Sequence, residues 1–375
     1  MKRVLKGILK WTLRAVLIVV LLAALWIFIA YWREKNDCDR LTNVPANPMK
    51  AVVHCDYGIK NLQVRDLEKP APDDNQLLVR VRAAALNPLD GHMTRGGLLA
   101  RGFGSGLRKP KDVRMGVDYA GVVEAAGKNV TNFKIGDEVF GGRSGALAQY
   151  ITVKADRAVA LKPANMSFEQ AGGVGVAALT ALQGLRDYGK LQPGQKVLIN
   201  GASGGVGTFA VQIAKTLGAE VTGVCSTRNV NMVKTLGADR VIDYTQQDFT
   251  NGPERYDVIF DNVQNHTFSE RRRVLNEHGI CVNVGIGGAG AHQDTMLHVV
   301  RAMTSPLMSK FTTQKFIFFI AQFNQADMNV LRGFMESGKM TPVIDRTYKS
   351  LGETAQALEY LEEGHAHGKV VVDVE

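Results

Sequence analysis

The stretch "INGASGGVG", residues 199–207, holds four glycines in nine positions. It follows the apolar run "KVLI" and precedes "TFAVQIAK". A strand, a glycine-rich turn and a helix in that order aim backbone N–H groups and the positive end of the helix at one point. An anionic phosphate fits there. The spacing resolves to Ala202-x-Gly204-x-x-Gly207, a dinucleotide fingerprint with alanine in its first position. Glycines in such a turn let the backbone approach a pyrophosphate and let the helix pack on the strand.

The end of the next strand selects the nucleotide. Sites for NAD carry an acid roughly 20 residues beyond the glycines, where it accepts from the ribose hydroxyl. Here that place reads "CSTRN" (225–229), with Ser226, Thr227 and Arg228 and no acid. A carboxylate would repel a 2′-phosphate, whereas hydroxyls and a guanidinium bind one. NADPH is therefore the expected cofactor.

Outward from this turn the chain has two patterns. From Met49 to about Lys162, short alternating runs such as "KAVVHCDYG", "QLLVRVRAAALN" and "AQYITVK" are separated by Gly, Pro, Asn and Asp, as strands are. From about Ala171 strand-like and helix-like segments alternate, which predicts a doubly wound parallel sheet. Beyond Thr341 short strands return in "PVIDRTY" and "KVVVDV". The expected α/β architecture is a β-rich domain over 49–165, completed by 341–375, around a nucleotide-binding domain over 166–340.

Several landmarks together give a family resemblance: "ALNPLD" (85–90), "GVDYAGVVEAAG" (116–127), "GDEVFGG" (136–142), "AALTALQGL" (177–185), "GADRVIDY" (237–244) and "GKVVVDV" (368–374). From Met49 onward the chain resembles a zinc-independent medium-chain dehydrogenase/reductase of the quinone-oxidoreductase type. That resemblance implies a GroES-like catalytic domain with an inserted Rossmann domain and NADPH in the cleft. It implies Ser203, Gly205, Val206 and Gly207 at the pyrophosphate, Ser226 and Arg228 at the 2′-phosphate, and Tyr244 at the adenosine. Asn87, Thr180, Asn262 and Gly285 fall near the nicotinamide and its ribose, and Lys369 in a closing C-terminal segment.

Zinc-dependent relatives use a thiolate, a histidine and usually a carboxylate to polarise the substrate. This sequence has "NPLD" (87–90) where they place the first cysteine and "GVD" (116–118) where they place Gly-His-Glu. No metal is expected, and His54 and His92 read as ordinary surface or pocket residues. Conjugated enones, enals and quinones accept hydride without a Lewis acid, because the charge spreads into an enolate or phenolate. Asn87, Asp90 and Tyr119 are the candidate catalytic residues, with Tyr57 and His92 as further proton donors. The pair in "YITVK" (150–154) matches Tyr-x-x-x-Lys by chance on a strand, since it precedes the glycine motif. "GHAHG" (364–368) reads as a solvated turn.

The net charge of +9 is concentrated at one end: residues 1–50 supply six of it, which argues against a nucleic-acid surface on the body. Eighteen uncharged residues from Ala15 to Trp32 predict a single N-terminal transmembrane helix that ties the chain to a lipid bilayer. Flanking basic residues place the N-terminus in the cytoplasm. A reductase drawing on cytoplasmic NADPH places the catalytic domain there instead, and the residues leave the orientation open. Four cysteines without any C-x-x-C pair suggest reduced thiols rather than a disulfide framework. The apolar segment 296–323 fits a lipophilic entrance, a membrane face, a homodimer interface or a buried helix pair. The expected function is a membrane-anchored NADPH-dependent reductase of quinones or activated alkenes and carbonyls. The alternative is an NADPH-sensing interaction protein with vestigial catalysis.

Overall fold

The computed structural model describes residues 2–33, 36, 38, 44–97, 101, 106–284 and 295–374. Helix α1 (Lys2–Arg33) is followed by strands β1 (Pro48–His54), β2 (Leu62–Glu68) and β3 (Gln76–Leu86) and helix α2 (Pro88–Arg95). Next come β4 (Asp118–Ala126), β5 (Glu138–Gly142), β6 (Tyr150–Lys154) and β7 (Val159–Leu161), then α3 (Phe168–Gly172) and α4 (Gly175–Gln183). The alternating region holds β8 (Lys196–Asn200), α5 (Gly205–Thr216), β9 (Glu220–Cys225), α6 (Val230–Thr235), β10 (Arg240–Asp243) and β11 (Tyr256–Asp261). It continues with α7 (Phe268–Arg273), β12 (Leu275–Val284), α8 (Thr295–Met308) and β13 (Lys315–Phe319). The chain closes with α9 (Gln325–Glu336), β14 (Ile344–Tyr348), α10 (Thr354–Glu362) and β15 (Lys369–Asp373).

Six strands form an all-parallel sheet in the order β10-β9-β8-β11-β12-β13. This is the doubly wound order of a dinucleotide-binding fold, whose direction reverses between β8 and β11 and opens a crevice at their carboxyl ends. A strand covered on both faces must be apolar throughout. Val197, Leu198 and Ile199 of β8 accordingly have no exposure at all. Phe209, Ala210, Val211, Ile213 and Ala214 of α5 are equally buried. The strand and helix that flank the glycine turn are thus fixed by the core.

The second large sheet runs β14-β15-β3-β4-β5-β7, with β6 also paired to β3. Strand β15 lies antiparallel to β3 and parallel to β14, so the last residues of the chain sit beside its early strands. Its buried valines, 370 to 372, supply that contact. This β-rich sheet and the parallel sheet fit the GroES-like and Rossmann-type expectation.

The chain divides into two compact units, one comprising 1–44, 54–61 and 92–113, the other the remainder, with both large sheets. Within the smaller unit, Cys38 and Cys55 form a disulfide, their Cα atoms 5.6 Å apart. This corrects the expectation of four reduced thiols: only Cys225 and Cys281, both buried, are free. Asn36 donates to the Cys55 carbonyl at 2.7 Å beside the bridge.

The transmembrane helix and the single-pass membrane localisation drawn from it are also corrected. Among the described residues no helix is long and apolar enough to cross a membrane. The uncharged run 15–32 is only one part of the 32-residue helix α1. The turns of α1 before it carry Lys2, Arg3, Lys6, Lys10 and Arg14.

Candidate active site

The glycine turn begins where β8 ends. Gly204 caps α5 in an extended conformation (φ −79°, ψ 176°), and its carbonyl accepts from the Thr208 N–H at 2.9 Å. A Cβ on Gly207 would lie 2.0 Å from the Gly201 carbonyl oxygen, so any side chain there would drive α5 off the turn. Ala202 is fully buried, its methyl facing Gly223 of β9. That contact explains why alanine is tolerated in the first position. Val206 packs on the core, and Ser203 and Gly205 complete the turn. The free N–H groups at this helix start can receive a pyrophosphate.

Sequence reasoning missed Asn229. Its amide donates to Ser203 Oγ at 3.1 Å and to Ser226 Oγ at 3.3 Å, joining the turn to the end of β9. Arg228 is exposed, and its guanidinium donates to the His365 carbonyl at 2.8 Å. Thr227 donates instead to Asp243 Oδ2 at 2.6 Å. Asp243, at the end of β10, was also missed; hydrogen bonds led by Thr227 hold its carboxyl below the usual range. Tyr244 beside it is 61% exposed, open to a stacking partner.

A second cluster forms where β3, α2, β4 and β15 meet. Lys369, at the start of β15, is 3% exposed, and its ammonium donates to Asn87 Oδ1 at 2.6 Å. It also reaches the Leu86 carbonyl and Asp118 Oδ2, each at 3.2 Å. Asn87 Nδ2 donates to Asp118 Oδ2 at 3.0 Å, and the Asn87 N–H donates to Asp90 Oδ2 at 2.7 Å. Burial is the main cause that pushes the Asp90 carboxyl up to about 7, and the charge on Asp118 adds to it. The Asn87 N–H bond and the Lys369 charge oppose that rise. Asp118 thus pairs with the ammonium, and Asp90 feels it only through its charge.

The two clusters meet in residues 365–369. Gly368 N donates to the Ser203 carbonyl at 3.0 Å, and a Cβ on Gly205 would lie 3.1 Å from Lys369 Cδ. The strap that Arg228 holds at His365 therefore crosses the glycine turn and delivers Lys369 into the second cluster. Lys369 was expected near the cofactor; its ammonium is bound by Asn87 and Asp118.

The other expected residues separate. Thr180, in the second half of α4, donates to the Val176 carbonyl at 2.7 Å. Asn262 follows β11, its N–H bonded to the Asn200 carbonyl at 3.2 Å, at the carboxyl edge of the sheet. Gly285 lies outside the described residues. Tyr119 is fully buried, and its hydroxyl has no hydrogen-bond partner among the described residues. Burial raises its phenol well above the ordinary value. In the smaller unit, Tyr57 donates to the Gly106 carbonyl at 2.7 Å. Burial lowers both His54 and His92 below the ordinary histidine value.

Comparison with known proteins extends over most of the chain. Residues 73–164 match the family described as "Alcohol dehydrogenase GroES-like domain", and 236–372 the family described as "Zinc-binding dehydrogenase". The chain is 32% identical over 339 residues to the 2-methylene-furan-3-one reductase of Solanum lycopersicum, covering 86% of this chain and 79% of the relative. It is 33% identical over 341 residues to the chloroplastic NADPH-dependent alkenal/one oxidoreductase of Arabidopsis thaliana, with the same coverage. Among solved structures, the quinone oxidoreductase from Coxiella burnetii superposes with a TM-score of 0.76 at 30% identity, covering 88% of this chain and all of that one.

The second family description raises the question of zinc, and the donor set answers it. Asn87 and Asp118, in the segments where zinc-dependent relatives place ligands, hold the Lys369 ammonium at 2.6 and 3.2 Å. A dication between them would face that ammonium, and neither a thiolate nor an imidazole belongs to the set. The residues present do not fit zinc.

Proposed function

The chain belongs to the medium-chain dehydrogenase/reductase family of oxidoreductases, and on that premise we propose that it reduces quinones or activated alkenes and carbonyls with NADPH, without zinc. The observation that carries this reading is the junction of the two clusters. The glycine turn and the Lys369–Asn87–Asp118 group are joined by the five-residue strap 365–369. The domain assignment follows, with 49–165 and 341–375 catalytic and 166–340 holding the cofactor.

In this reading the N–H groups of Gly205, Val206 and Gly207 receive the pyrophosphate, with Ala202, Ser203 and Gly204 shaping the turn. Arg228 and Ser226 receive the 2′-phosphate, and Tyr244 covers the adenosine. Thr180 and Asn262 face the nicotinamide side of the crevice. Bound NADPH supplies the hydride. The second N–H of the Asn87 amide, not used by Asp118, can donate to the oxygen on which the substrate's charge collects. Asp90 stores a proton near neutral pH, next to that amide, and Tyr119 lines the strand beneath.

Without a Lewis acid, hydride transfer favours an acceptor that spreads its own charge, as a quinone or a conjugated carbonyl does. The names of the relatives, an alkenal/one oxidoreductase and a 2-methylene-furan-3-one reductase, support the same choice. The test uses the purified full chain, following NADPH oxidation with a panel of quinones, enals and enones. Turnover with at least one acceptor is expected; rates at background with all of them refute the reading.

A further inference from the structure

We propose that Asp118 is a positioning residue for hydride transfer, fixing the Asn87 amide in one orientation and tying the pocket to helix α4. The proposal rests on the reductase reading above. It starts from the bonding of a single carboxylate. Asp118 has no exposure, and its two oxygens serve three chain segments. Oδ2 accepts from Asn87 Nδ2 at 3.0 Å and from the Lys369 ammonium at 3.2 Å. Oδ1 accepts from the Val176 N–H at 2.7 Å.

The last bond completes a helix end. Helix α4 begins after Val174, whose side chain makes no capping bond. Its early N–H groups need acceptors, and Asp118 supplies one from strand β4, with a negative charge where the helix end favours it. The approach is close: a Cβ on Gly175 would lie 2.3 Å from Asp118 Oδ1, so glycine is needed there. Thr180 is carried on the same helix. A change at Asp118 is therefore felt on both sides of the crevice.

The first two bonds settle the orientation of an amide. Turned over, Asn87 would set its NH2 against the Lys369 ammonium and its oxygen against the Asp118 carboxylate. Both contacts are repulsive at low dielectric. With the charges as found, Nδ2 faces the carboxylate and Oδ1 the ammonium, and the remaining N–H has one fixed direction. Asparagine at 118 would offer one oxygen for three donors, and its own NH2 would face two of them.

The test separates position from stability. Asp118→Asn leaves a buried ammonium without its counter-charge and is expected to lower both the melting temperature and the rate. The double variant D118N/K369M removes the stranded charge as well. We expect it to recover most of the melting temperature, because neutral pairs replace a buried ion pair at little cost. Its kcat should stay at least about tenfold low, with a larger isotope effect from 4-deuterated NADPH. Its NADPH dissociation constant, read by nicotinamide fluorescence, should lie within about threefold of that of Lys369→Met alone, since the two share the same change beside the glycine turn. Recovery of both melting temperature and kcat in the double variant overturns the proposal while leaving the reductase reading intact. A wild-type chain that binds NADPH and reduces no acceptor overturns the reading and the proposal together.

Discussion

Asp90 gives the most quantitative prediction. Its carboxyl is fully enclosed and is pushed up to about 7 in the folded chain, from an ordinary value of 3.8. A raised carboxyl binds its proton more tightly folded than unfolded. Its contribution to stability is therefore complete below the unfolded value and is lost as pH rises through about 7. The gap of roughly three units corresponds to about 4 kcal/mol in all. Between pH 5 and pH 8 the loss comes to roughly 2.5 kcal/mol, because the unfolded carboxyl has already ionised by pH 5 and the rest was lost below it. Asp90→Asn cannot ionise and keeps an oxygen for the Asn87 N–H. The assay is urea unfolding of both proteins at four pH values across that range. Subtraction cancels the groups the two proteins share, so the wild type should lose about 2.5 kcal/mol relative to the variant, mostly between pH 5 and 7. A difference that stays flat across the range would refute the placement of Asp90 as a buried acid beside Asp118.

Three further outcomes test other parts of the structure. Gly207→Ala places a methyl 2.0 Å from the Gly201 oxygen. Relief of that contact should cost about 1–3 kcal/mol and weaken NADPH on the order of tenfold in a fluorescence titration; unchanged affinity and stability would mean the turn does not close as described. Arg228→Ala should weaken NADPH by about tenfold or more while changing NADH by less than about threefold, since only the former carries the 2′-phosphate. Equal losses for both would remove Arg228 from that subsite. The Cys38–Cys55 bridge spans 17 residues, a closure that restricts the unfolded segment by roughly 3 kcal/mol. Cys38→Ser should therefore speed proteolysis between residues 34 and 60, and a digestion pattern identical to wild type would argue that the bridge does not form.

What the sequence made legible is what neighbouring residues encode. The turn 199–207 and the alternation of strands and helices around it are local patterns, set by backbone sterics and by burial on both faces of β8. Lys369 was placed near the cofactor by its "GKVVVDV" context, and that pattern holds no trace of where its ammonium ends. Its partner Asp118 lies 251 residues away, and the Val176 N–H that Asp118 caps lies 58 residues away. Bonds of that span arise from the packing of two sheets and leave no periodicity to read. A closer signal existed for Asp118: an acid stood where a ligand was expected, and an uncompensated buried acid demands a cation. Asn229 closes the "CSTRN" stretch and Asp243 lies in "GADRVIDY", but the first acts through a bond to Ser203, 26 residues away, and the second by lying on the strand beside β9. The N-terminal run failed differently. Its composition was read correctly as apolar, but an apolar run is one part of a helix, and five basic residues precede it in the same helix. The cysteines failed because spacing carries no information about a bridge made by a returning loop.

The Lys369 position bears on how one fold serves two kinds of chemistry. The junction of β3, β4 and β15 gathers buried oxygens, and such oxygens need a positive charge near them. A bound metal is one solution, open to substrate and lost by chelation. The ammonium of Lys369 is another, and it arrives on the strap that also touches the glycine turn at Ser203. A cation delivered this way is spent on Leu86, Asn87 and Asp118 and has no donor left over for a substrate oxygen. It can orient an amide, but it cannot polarise a carbonyl as a metal does. The demand for an acceptor that stabilises its own charge therefore follows from the geometry of three hydrogen bonds. Substrate choice and cofactor contact become linked through one side chain, since the residue that fills the junction is anchored at the turn.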